Sequence, residues 1–424
     1  MQLDLQPYQD MPPARRWWVA YSGGVDSHCL LHALAQQAPP GLIAAVHVDH
    51  GIHPRSAQWV RHCAAVCSEL KIPFHWFRVQ ISPGPGLEAI AREARYAALA
   101  KVVGSGEIVF TAHHQDDQAE TLVLQLLRGS GPRGLGAMRK IVPFHKGYLA
   151  RPLLAISKKE VLAYAKKFGL HWIEDESNVD SRIPRNYLRN EVLPALELHW
   201  PSTIAVLARS AAHQAEASEL LDVLAIQDLK TVVGSRPKTI QLDRLSQFTS
   251  SQVSNLLRYW IRDQGHLVPS TAVLQQVLEI LGARWDATPF VAWEGAEVRR
   301  YRNLLYLMRP LAPLPAPDWQ TTWNLAEPLV LPWCTLAAQP VIGSGFLINQ
   351  VTVRLRRGGE RFDFGSHHRP LKDLWQAAGV PPWVRARTPL LFEEETLVAV
   401  PELGVCSSFR HCFTKLDFQY LVHA

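Results

Sequence analysis

Cysteine is scarce in this sequence, and no cysteines are placed as a zinc or redox pair. Six occur in 424 residues, and none forms a C-x-x-C pair. Cys63 and Cys67 are four residues apart, which suits one face of a helix better than a metal or redox site. A zinc ribbon and a C-x-x-C redox centre are therefore disfavoured, and reduced thiols are expected.

Signals for export and for membrane insertion are also missing. The first 18 residues, MQLDLQPYQDMPPARRWW, lack the apolar core of a signal peptide. The longest uncharged run, residues 328–353, contains three prolines together with Gln, Gly and Asn, which is unlike a membrane span. We therefore expect a cytoplasmic protein.

The motif G-x-x-x-x-G-K-[ST] is absent, which excludes a Walker-type phosphate loop. The sequence instead contains S-G-G-V-D-S at residues 22–27, between a predicted strand and a predicted helix. Its glycines allow close backbone approach, and the N–H groups at the helix start can cradle an anion. Asp26 would repel a bare phosphate, so we infer a Mg²⁺ between them. An ordinary strand-to-helix turn explains a bare S-G-G, but it explains the full hexapeptide less well.

Positive charge is concentrated near the C-terminal end. The formal net charge is +6, and residues 354–387 contain eight Lys or Arg against three acids, a local surplus of five. A basic surface of this kind can neutralise nucleic-acid phosphates and release their counterions. The alternative is a solvated face that only keeps the domain soluble.

The first half of the chain alternates apolar runs with helical patterns, which predicts an α/β fold with a doubly wound parallel sheet. The predicted strands are 17–21, 42–48, 74–79, 108–112 and 171–173, and the predicted helices are 25–38, 58–70, 87–103, 116–127, 158–168 and 202–230. A small mixed α/β domain and a strand-rich α+β domain are expected to follow.

The same patterns predict five segments along the chain. They are a catalytic domain at 1–200, a linker helix at 201–232, a small domain at 233–310, a proline-rich linker at 311–318 and a basic C-terminal domain at 319–424. The linker assignment at 311–318 rests on the stiffness of alternating prolines.

Polar residues follow two of the predicted strands, where ligands usually bind in open α/β sheets. His47 and Asp49 end the second strand, and His113 precedes an acidic helix start after the fourth. Asp117 and Glu120 are three residues apart on one helix face, with Asp116 beside them, so they can hold Mg²⁺ or an ammonium group. The simpler alternative is that acids in a first helical turn interact favourably with the helix dipole.

Two further segments have open interpretations. Residues 128–138 contain G-x-G-x-x-G, but the motif closes a helix instead of following a strand, so we interpret it as a mobile glycine loop near the substrate. Arg185 and Arg189 are four residues apart and can point from one helix face at phosphate or developing negative charge. The alternative is a surface helix with solvated arginines.

The hexapeptide is similar to the PP-loop, S-G-G-x-D-S, of N-type ATP pyrophosphatases, which split ATP between the α- and β-phosphates. Across residues 22–190, an ordered set of segments resembles the tRNA(Ile)-lysidine synthetase family of that class. The set is S-G-G-V-D-S, H-V-D-H-G at 47–51, A-H-H-Q-D-D-Q-A-E-T at 112–121, R-G-S-G-P-R-G-L at 128–135, R-P-L-L at 151–154, and D-E-S-N at 175–178 with R-N-Y-L-R at 185–189. Weaker echoes lie at 356–361 and 381–385. The resemblance implies an adenine nucleotide alpha hydrolase-like first domain.

Members of this family modify the cytidine at the first anticodon position of an isoleucine tRNA with the anticodon CAU. The resemblance implies that the C2 carbonyl oxygen of this base attacks the α-phosphate of ATP, releasing pyrophosphate. The ε-amine of free lysine then displaces AMP to give lysidine, and codon reading changes from AUG to AUA. The implied cofactors are ATP and Mg²⁺, and the implied partners are this tRNA and L-lysine. The oligomeric state, monomer or homodimer, stays open.

The resemblance also suggests residue roles. The nucleotide and its leaving pyrophosphate would be held by Ser22, Gly23, Gly24, Val25, Asp26, Ser27, His47 and Asp49. Candidates for Mg²⁺ ligation are Asp26 and Asp117, and candidates for the lysine ammonium are Asp116 and Glu120. The proton that lysine must lose would go to His50, His113, His114 or a carboxylate.

Arg185 and Arg189 are candidates for stabilising the activated base or binding tRNA phosphate. Contacts to the tRNA body are assigned to Arg354, Arg356, Arg357, Arg361 and Arg385. Three rival functions remain: a PP-loop tRNA thiolase, a small-molecule amidotransferase or synthetase, and a non-catalytic tRNA-binding protein with a relict nucleotide loop. The thiolase would need sulfur-carrying cysteines, whereas Cys29, Cys63 and Cys67 fall within probable helices.

Overall fold

The chain folds into two units, residues 1–221 and 222–424, in a computed structural model. The structure describes residues 2–9, 16–51, 54–80, 87–284, 287–340, 350–364, 367–401, 403–406 and 413–420. Cys412 lies outside these ranges. The boundary between the units falls within one long helix, so the finer division into five segments stays a prediction.

The first unit is built on a six-stranded sheet. Its strands are β1 (Trp17–Ala20), β2 (Ile43–Asp49), β3 (Phe74–Arg78), β4 (Ile108–Phe110), β5 (Ile141–Phe144) and β6 (Gly147–Ala150). They lie in the order β3-β2-β1-β4-β6-β5, and every neighbouring pair except β5–β6 is parallel. The predicted parallel sheet is therefore confirmed, with an antiparallel edge hairpin that the sequence patterns did not indicate.

Ten helices accompany this sheet in the described part of the chain. They are α1 (Gln6–Gln9), α2 (Val25–Gln37), α3 (Ser56–Glu69), α4 (Leu87–Val102), α5 (Gln115–Leu127), α6 (Pro132–Leu135), α7 (Lys158–Lys167), α8 (Pro184–Tyr187), α9 (Leu193–His199) and α10 (Thr203–Thr231). A π-helical turn, Leu188–Val192, joins α8 to α9. None of the described helices combines the length and apolar character that a bilayer span needs.

The side-chain alternation of β1 explains why both faces of the sheet are covered. Trp17 and Val19 point into a core shared with residues of α2, α3 and α7. Trp18 points the other way, into a second core that contains Leu99 and Val103 from α4 and its C-terminal end. Successive strand residues face opposite sides, so a strand that is apolar at every position must be buried on both.

One sequence prediction in this unit was wrong. His171–Ile173, predicted as a strand, forms no ladder; this stretch runs over the turn at residues 22–27, where Ile173 N–H donates to Gly23 O at 2.9 Å. Within the glycine-rich segment, α6 forms a helical turn, and Gln118 holds the segment's end by donating to Met138 O and accepting from Met138 N–H, both at 2.8 Å. Short apolar runs do not distinguish a strand from an extended crossing segment.

The second unit contains an antiparallel sheet with two helices, followed by a strand-rich region. The first part consists of β7 (Thr239–Gln241), α11 (Ser250–Asp263), α12 (Thr271–Leu281), β8 (Phe290–Trp293), β9 (Ala296–Tyr301) and β10 (Leu304–Met308). Its strand order is β7-β10-β9-β8, and its core includes Leu256, Leu257 and Val298. This matches the predicted small mixed domain in kind.

The strand-rich region carries the predicted basic surface. Its elements are β11 (Gln320–Asn324), β12 (Leu329–Leu331), β13 (Cys334–Pro340), β14 (Gln350–Arg354), β15 (Arg361–Phe364), β16 (His367–Pro370), α13 (Leu371–Ala377), α14 (Pro382–Arg385), β17 (Leu390–Glu393), β18 (Thr396–Val400), β19 (Gly404–Val405) and β20 (Phe413–Tyr420). The strands form sheets β11-β14-β17-β18-β19 and β12-β13-β20, plus the hairpin β15-β16.

Candidate active site

The hexapeptide at residues 22–27 forms the turn between β1 and α2. Gly23 has φ +88°, and a Cβ there would come 2.6 Å from Ile173 Cδ1, so only glycine fits without displacing its neighbour. Gly24 is the N-cap of α2, and in the described structure no side chain caps this helix. The first N–H groups of α2 are therefore open to an anion.

Two serine hydroxyls fix the shape of this turn. Ser27 Oγ accepts the Ser22 N–H at 3.2 Å and donates to Gly24 O at 3.0 Å. Ser22 Oγ lies 2.9 Å from Ser27 Oγ and accepts the Gly24 N–H at 3.4 Å. The loop is thus held in a cradle shape by its own side chains.

Asp26, on the first turn of α2, joins this cradle to two other helices. Its Oδ1 accepts Lys158 Nζ from the start of α7 at 2.5 Å, and its Oδ2 lies 3.7 Å from His114 Nε2. Burial disfavours the charge, but His114 and Lys158 outweigh it and lower the Asp26 pKa to about 2. Asp26 is therefore a carboxylate throughout the physiological range.

His114 is the N-cap of α5 and lies between three acids. Its backbone N–H donates to Asp117 Oδ2 at 3.0 Å, and its ring Nε2 lies 3.4 Å from the same oxygen. Its ring Nδ1 lies 3.5 Å from Asp116 Oδ2. Burial opposes protonation, yet the carboxylates of Asp116, Asp26 and Asp117 raise the pKa of His114 to about 9. At neutral pH this side chain is an imidazolium.

Glu120 anchors both predicted arginines. Its side chain is only 1% exposed, and Arg189 contacts both of its oxygens, from Nε at 2.7 Å and from Nη2 at 3.0 Å. Arg185 Nε lies 2.9 Å from Glu120 Oε2, and its Nη2 donates to Thr121 Oγ1 at 2.6 Å. Burial raises the pKa of Glu120, and the opposing effect of the two guanidinium groups offsets only part of that rise.

Arg189 also links this pair to the acids at the start of α5, since its Nη2 donates to Asp117 Oδ1 at 3.2 Å. The contacts thus connect the loop, α5, α7 and the turn after α8 in one charged cluster. We call Asp26, His114, Asp116, Asp117, Glu120, Lys158, Arg185 and Arg189 the active-site cluster.

The other predicted histidines and Asp49 do not belong to this cluster, and each described contact is with another group. His113 Nδ1 lies 2.9 Å from Thr111 Oγ1, and burial lowers its pKa to about 3, so the ring is neutral. His47 Nδ1 donates to Tyr21 O at 2.9 Å beneath the loop, with its pKa lowered mainly by burial. Asp49 instead accepts the Gly51 N–H at 2.8 Å. The pKa of His50 is also lowered, again mainly by burial.

The arginines predicted to contact tRNA belong to the second unit and have varied surroundings. Arg354 stacks on Phe392 at 3.8 Å, and Arg357 donates to Asp318 O at 3.1 Å. Arg356 lies 3.8 Å from Glu360, Arg361 is exposed, and Arg385 donates to Val380 O and to Tyr301 Oη, both at 2.7 Å. Their contact with RNA stays a prediction.

Lys158 is the site residue that sequence reasoning missed. It follows Ser157, whose capping box with Glu160 marks a helix start, and this start was predicted. Nothing in the local pattern indicates that the side chain reaches Asp26, 132 positions away in the chain.

The carboxylates fit the magnesium ion that this loop implies. Asp26 Oδ2 and Asp117 Oδ2 converge on one atom, His114 Nε2, at 3.7 and 3.4 Å. Among the described residues, no group of three His, Cys, Asp or Glu side chains could hold a metal by itself. Mg²⁺ is usually bound by one or two carboxylates together with substrate phosphates, so the acids suit an ion that arrives with a nucleotide.

Models of known protein families match three separate parts of the chain. Family models match a PP-loop domain at residues 2–196, a TilS substrate binding domain at 240–306 and a TilS substrate C-terminal domain at 351–414. Among solved structures, the U34-tRNA thiolase NcsA from Methanococcus maripaludis is 18% identical, covers 49% of this chain and 74% of its own, and has a TM-score of 0.40, too low to carry an argument.

Curated relatives match over nearly the full length. The tRNA(Ile)-lysidine synthase of Coxiella burnetii is 41% identical over 404 residues, covering 92% of this chain and 89% of that protein. The enzyme of the same name from Methylococcus capsulatus is 39% identical and covers 94% of each chain. With this identity across the PP-loop domain and both TilS domains, the chain belongs to the tRNA(Ile)-lysidine synthase family.

Proposed function

We propose that this protein joins free L-lysine to C2 of the cytidine at the first anticodon position of tRNA(Ile) with the anticodon CAU, using ATP to adenylate the base. The products are lysidine in the tRNA, AMP and pyrophosphate, and codon specificity changes from AUG to AUA. The observation that carries this proposal is the active-site cluster, assembled beside the PP-loop at the N-terminal ends of α2 and α5. The identity to tRNA(Ile)-lysidine synthases supports the choice of reaction.

The leaving pyrophosphate is held by the loop. The open N–H groups of α2 donate to phosphate oxygens, the hydroxyls of Ser22 and Ser27 hold the loop in shape, and the helix dipole favours the negative charge. Lys158, now on Asp26, adds a cation at the same place. These donors stabilise charge that grows as the bond between the α- and β-phosphates breaks.

Arg185 and Arg189 stabilise the activated base or its α-phosphate. Because Glu120 fixes both guanidinium groups, little reorganisation is needed when charge develops nearby. Both oxygens of Glu120 are engaged by arginine, so Asp116 is the freer of the two acids predicted to receive the lysine ammonium. Asp116 Oδ2 accepts the backbone N–H of Lys158 at 2.8 Å and lies 3.5 Å from His114 Nδ1, but it contacts no arginine among the described residues.

Of the two adjacent histidines, only His113 can accept a proton at neutral pH. His114 already carries its proton at neutral pH and cannot accept another. His113 is neutral, and its Nε2 can take the proton that lysine loses, although its low pKa makes it a weak base. The magnesium ion would be held by Asp26 and Asp117 and would neutralise phosphate charge.

A thiolase would need a nucleophilic or cluster-binding sulfur at this site. Burial raises the pKa of Cys29 and Cys67 to about 12 and that of Cys63 still higher, so none of these thiols is activated. The five described cysteines are all buried. They act as small packing residues, which favours the ligase over the thiolase.

The test is a reconstituted reaction with ATP, Mg²⁺, labelled L-lysine and tRNA(Ile) carrying CAU. We expect label in the tRNA, with AMP and pyrophosphate formed in equal amounts. Asp117→Asn should reduce the rate at least ~100-fold, as is typical when a group that stabilises developing charge is removed. Glu219→Gln, an acid 62% exposed on α10, is the control and should keep full activity. Absence of pyrophosphate release by the wild-type protein would refute the proposal.

A further inference from the structure

The second unit contains a pocket that has no role in the proposed reaction. Its volume is about 450 Å³, within the range of ligand sites. Its walls are the last turns of α10 and α11 and the start of β7, so it lies within residues 229–265. None of these residues belongs to the active-site cluster or to the basic surface near the C-terminal end. A ligand of this pocket is therefore distinct from the groups held at the active site.

Part of the pocket wall is apolar. Leu229 and Val233 come from the end of α10 and the residues after it, and Trp260 comes from α11. Trp260 belongs to the core of the small domain, whereas Val233 is 54% exposed and forms a β-bridge to Ile240. Apolar and aromatic side chains in fixed positions are the usual lining of ligand pockets. They suit a flat ring that has little polar character on its faces.

The end of α11 adds hydrogen-bond acceptors. Asp263 is the last residue of this helix; Tyr259 Oη lies 3.5 Å from its Oδ1, and no other described residue donates to the carboxylate. Gln264 Nε2 donates to Lys238 O at 3.3 Å, which leaves Gln264 Oε1 as an acceptor. The negative end of the helix dipole also favours donors at this place. The pocket therefore favours a ligand that presents two or more hydrogen-bond donors.

Lys238 adds a requirement for negative charge. Its side chain lines the pocket, is exposed and forms no ion pair within the described part of the chain. A cationic ligand, such as an amine or a guanidinium compound, would satisfy Asp263 but would be repelled by Lys238. The ligand should therefore combine neutral donors in one part with an anionic group in another.

A guanine nucleotide has this combination. Among the four RNA bases, only guanine presents two adjacent donors on one edge, N1–H and the 2-amino group, and they match the two oxygens of a carboxylate. Adenine and cytosine place a ring acceptor beside the exocyclic amine, and uracil flanks its single N–H with two carbonyl groups. Each of these three bases would turn an acceptor toward Asp263, which leaves both groups without a partner. The phosphate of the nucleotide supplies the negative charge.

We propose that this pocket binds a guanine nucleotide. Asp263 accepts the N1–H and the 2-amino group of the base, and Lys238 contacts the phosphate. The ring packs against Leu229, Val233 and Trp260. The nucleotide is either an unpaired guanosine of tRNA, since unpaired RNA bases are read on this edge, or a free guanine nucleotide. Because the pocket lies outside the active-site cluster, the inference does not depend on the proposed reaction.

The test titrates mononucleotides into the full-length protein by calorimetry, with the α,β-methylene analogue of ATP present to occupy the proposed ATP site. We expect GMP to bind about tenfold more tightly than AMP, because only GMP offers both donors to the carboxylate. Asp263→Asn replaces one acceptor by a donor and should reverse the preference from GMP to XMP, whose 2-oxo group accepts where the 2-amino group donates. This reversal cannot arise from loss of folding, since an unfolded variant would bind neither nucleotide.

A second variant tests the phosphate contact. Lys238→Gln should weaken GMP binding about fivefold, as for the loss of an exposed ion pair, and should leave the binding of guanosine, which has no phosphate, unchanged. Matched controls are Asp318→Asn and Lys230→Gln, which replace exposed residues outside the pocket and should bind every ligand as the wild type does.

Unmodified tRNA(Ile), added to the complex with GMP, distinguishes the two sources of the nucleotide. Displacement of GMP identifies a guanosine of tRNA, and Asp263→Asn should then weaken tRNA binding; retention of GMP identifies a free nucleotide. Equal binding of GMP and AMP, no GMP binding by the wild type, or an unchanged preference for GMP in Asp263→Asn would overturn the inference. None of these measurements requires lysidine formation, so this inference and the proposed function can fail separately.

Discussion

Glu120 in the first unit and Glu395 in the second each pair with arginine, but in opposite surroundings. Glu120 is 1% exposed and holds two guanidinium groups, whereas Glu395 is 90% exposed and lies 3.7 Å from Arg354. In the first unit, Arg185 and Arg189 are paired with the buried carboxylates of Glu120 and Asp117. In the second, Arg357 and Arg385 donate to neutral carbonyl or hydroxyl oxygens and keep their full charge.

The difference suggests two uses of arginine. Arginines that are paired with carboxylates and fixed in position can stabilise negative charge that develops at one point, and they do not repel the other cations of the cluster. Guanidinium groups on neutral acceptors keep a positive field that reaches a polyanion over about a Debye length, ~8 Å at physiological salt. The first arrangement suits chemistry, and the second suits electrostatic attraction of tRNA.

The comparison is tested most strongly by breaking one pair in each unit. Glu120→Gln removes the carboxylate that Arg185 and Arg189 share and leaves Arg189 with Asp117. Removing one partner of a buried ion pair typically costs about 3–5 kcal/mol. Glu395→Gln removes an exposed partner and should cost less than about 1 kcal/mol. Denaturant unfolding of both variants measures the two values. Similar losses for the two would show that the burial difference has no energetic meaning.

The pH dependence of stability tests the imidazolium in the active-site cluster. Because the folded pKa of His114, about 9, exceeds its ordinary value of 6.5, its protonation stabilises the fold fully below pH 6.5. That contribution, about 3.5 kcal/mol for a rise of about 2.5 in pKa at ~1.4 kcal/mol per pKa unit, is lost as the pH rises through 9.

The matching variant is His114→Asn, which keeps a good N-cap residue. The free energy of unfolding of this variant should lack the decline between pH 6.5 and 9. The same decline in wild type and variant would contradict the assignment of charge to His114.

The smallest expected effect is on the salt dependence of tRNA binding. If exposed Arg361 contacts a phosphate, Arg361→Gln should reduce the slope of log affinity against log salt by about one. Arg385→Gln should also lower the melting temperature, since it removes donors to Val380 O and Tyr301. Filter binding across salt concentrations reports the loss of a phosphate contact, and thermal unfolding reports the loss of stability, so the two effects can be separated. An unchanged slope for Arg361→Gln would remove it from the contact set.

Much of the fold could be predicted because its signals are local. The strands β1 to β4 and the helices α2 to α5 lie within a few residues of their predicted bounds, since an apolar run or an amphipathic repeat is visible in a short window. The hairpin of β5 and β6 was missed because its strands are short and one contains Pro143. The stretch at 171–173 was mistaken for a strand because extended chain and strand share one apolar pattern.

The site was only partly predictable for a different reason. The acids at the start of α5 and the arginines after them were predicted as site candidates, but their pairing with one another was not predicted. That Glu120 takes both arginines, and that Asp26 takes Lys158 and His114, depends on which helices meet at the end of the sheet. Side-chain burial, which sets the pKa of His114 against that of His113, depends on the same packing.

The sequence by itself determined how strands and helices alternate along the first half of the chain, the cradle at residues 22–27 and the excess of positive charge near the C-terminal end. Each of these depends on residues that are close together in the chain. Only the tertiary structure decided which charges neutralise one another, which histidine holds a proton, and that Ile173 lies against Gly23. Those properties arise from contacts between residues far apart in the chain, as with Asp26 and Lys158, whose separation is 132 positions. A short stretch of sequence does not indicate which distant residues will come into contact.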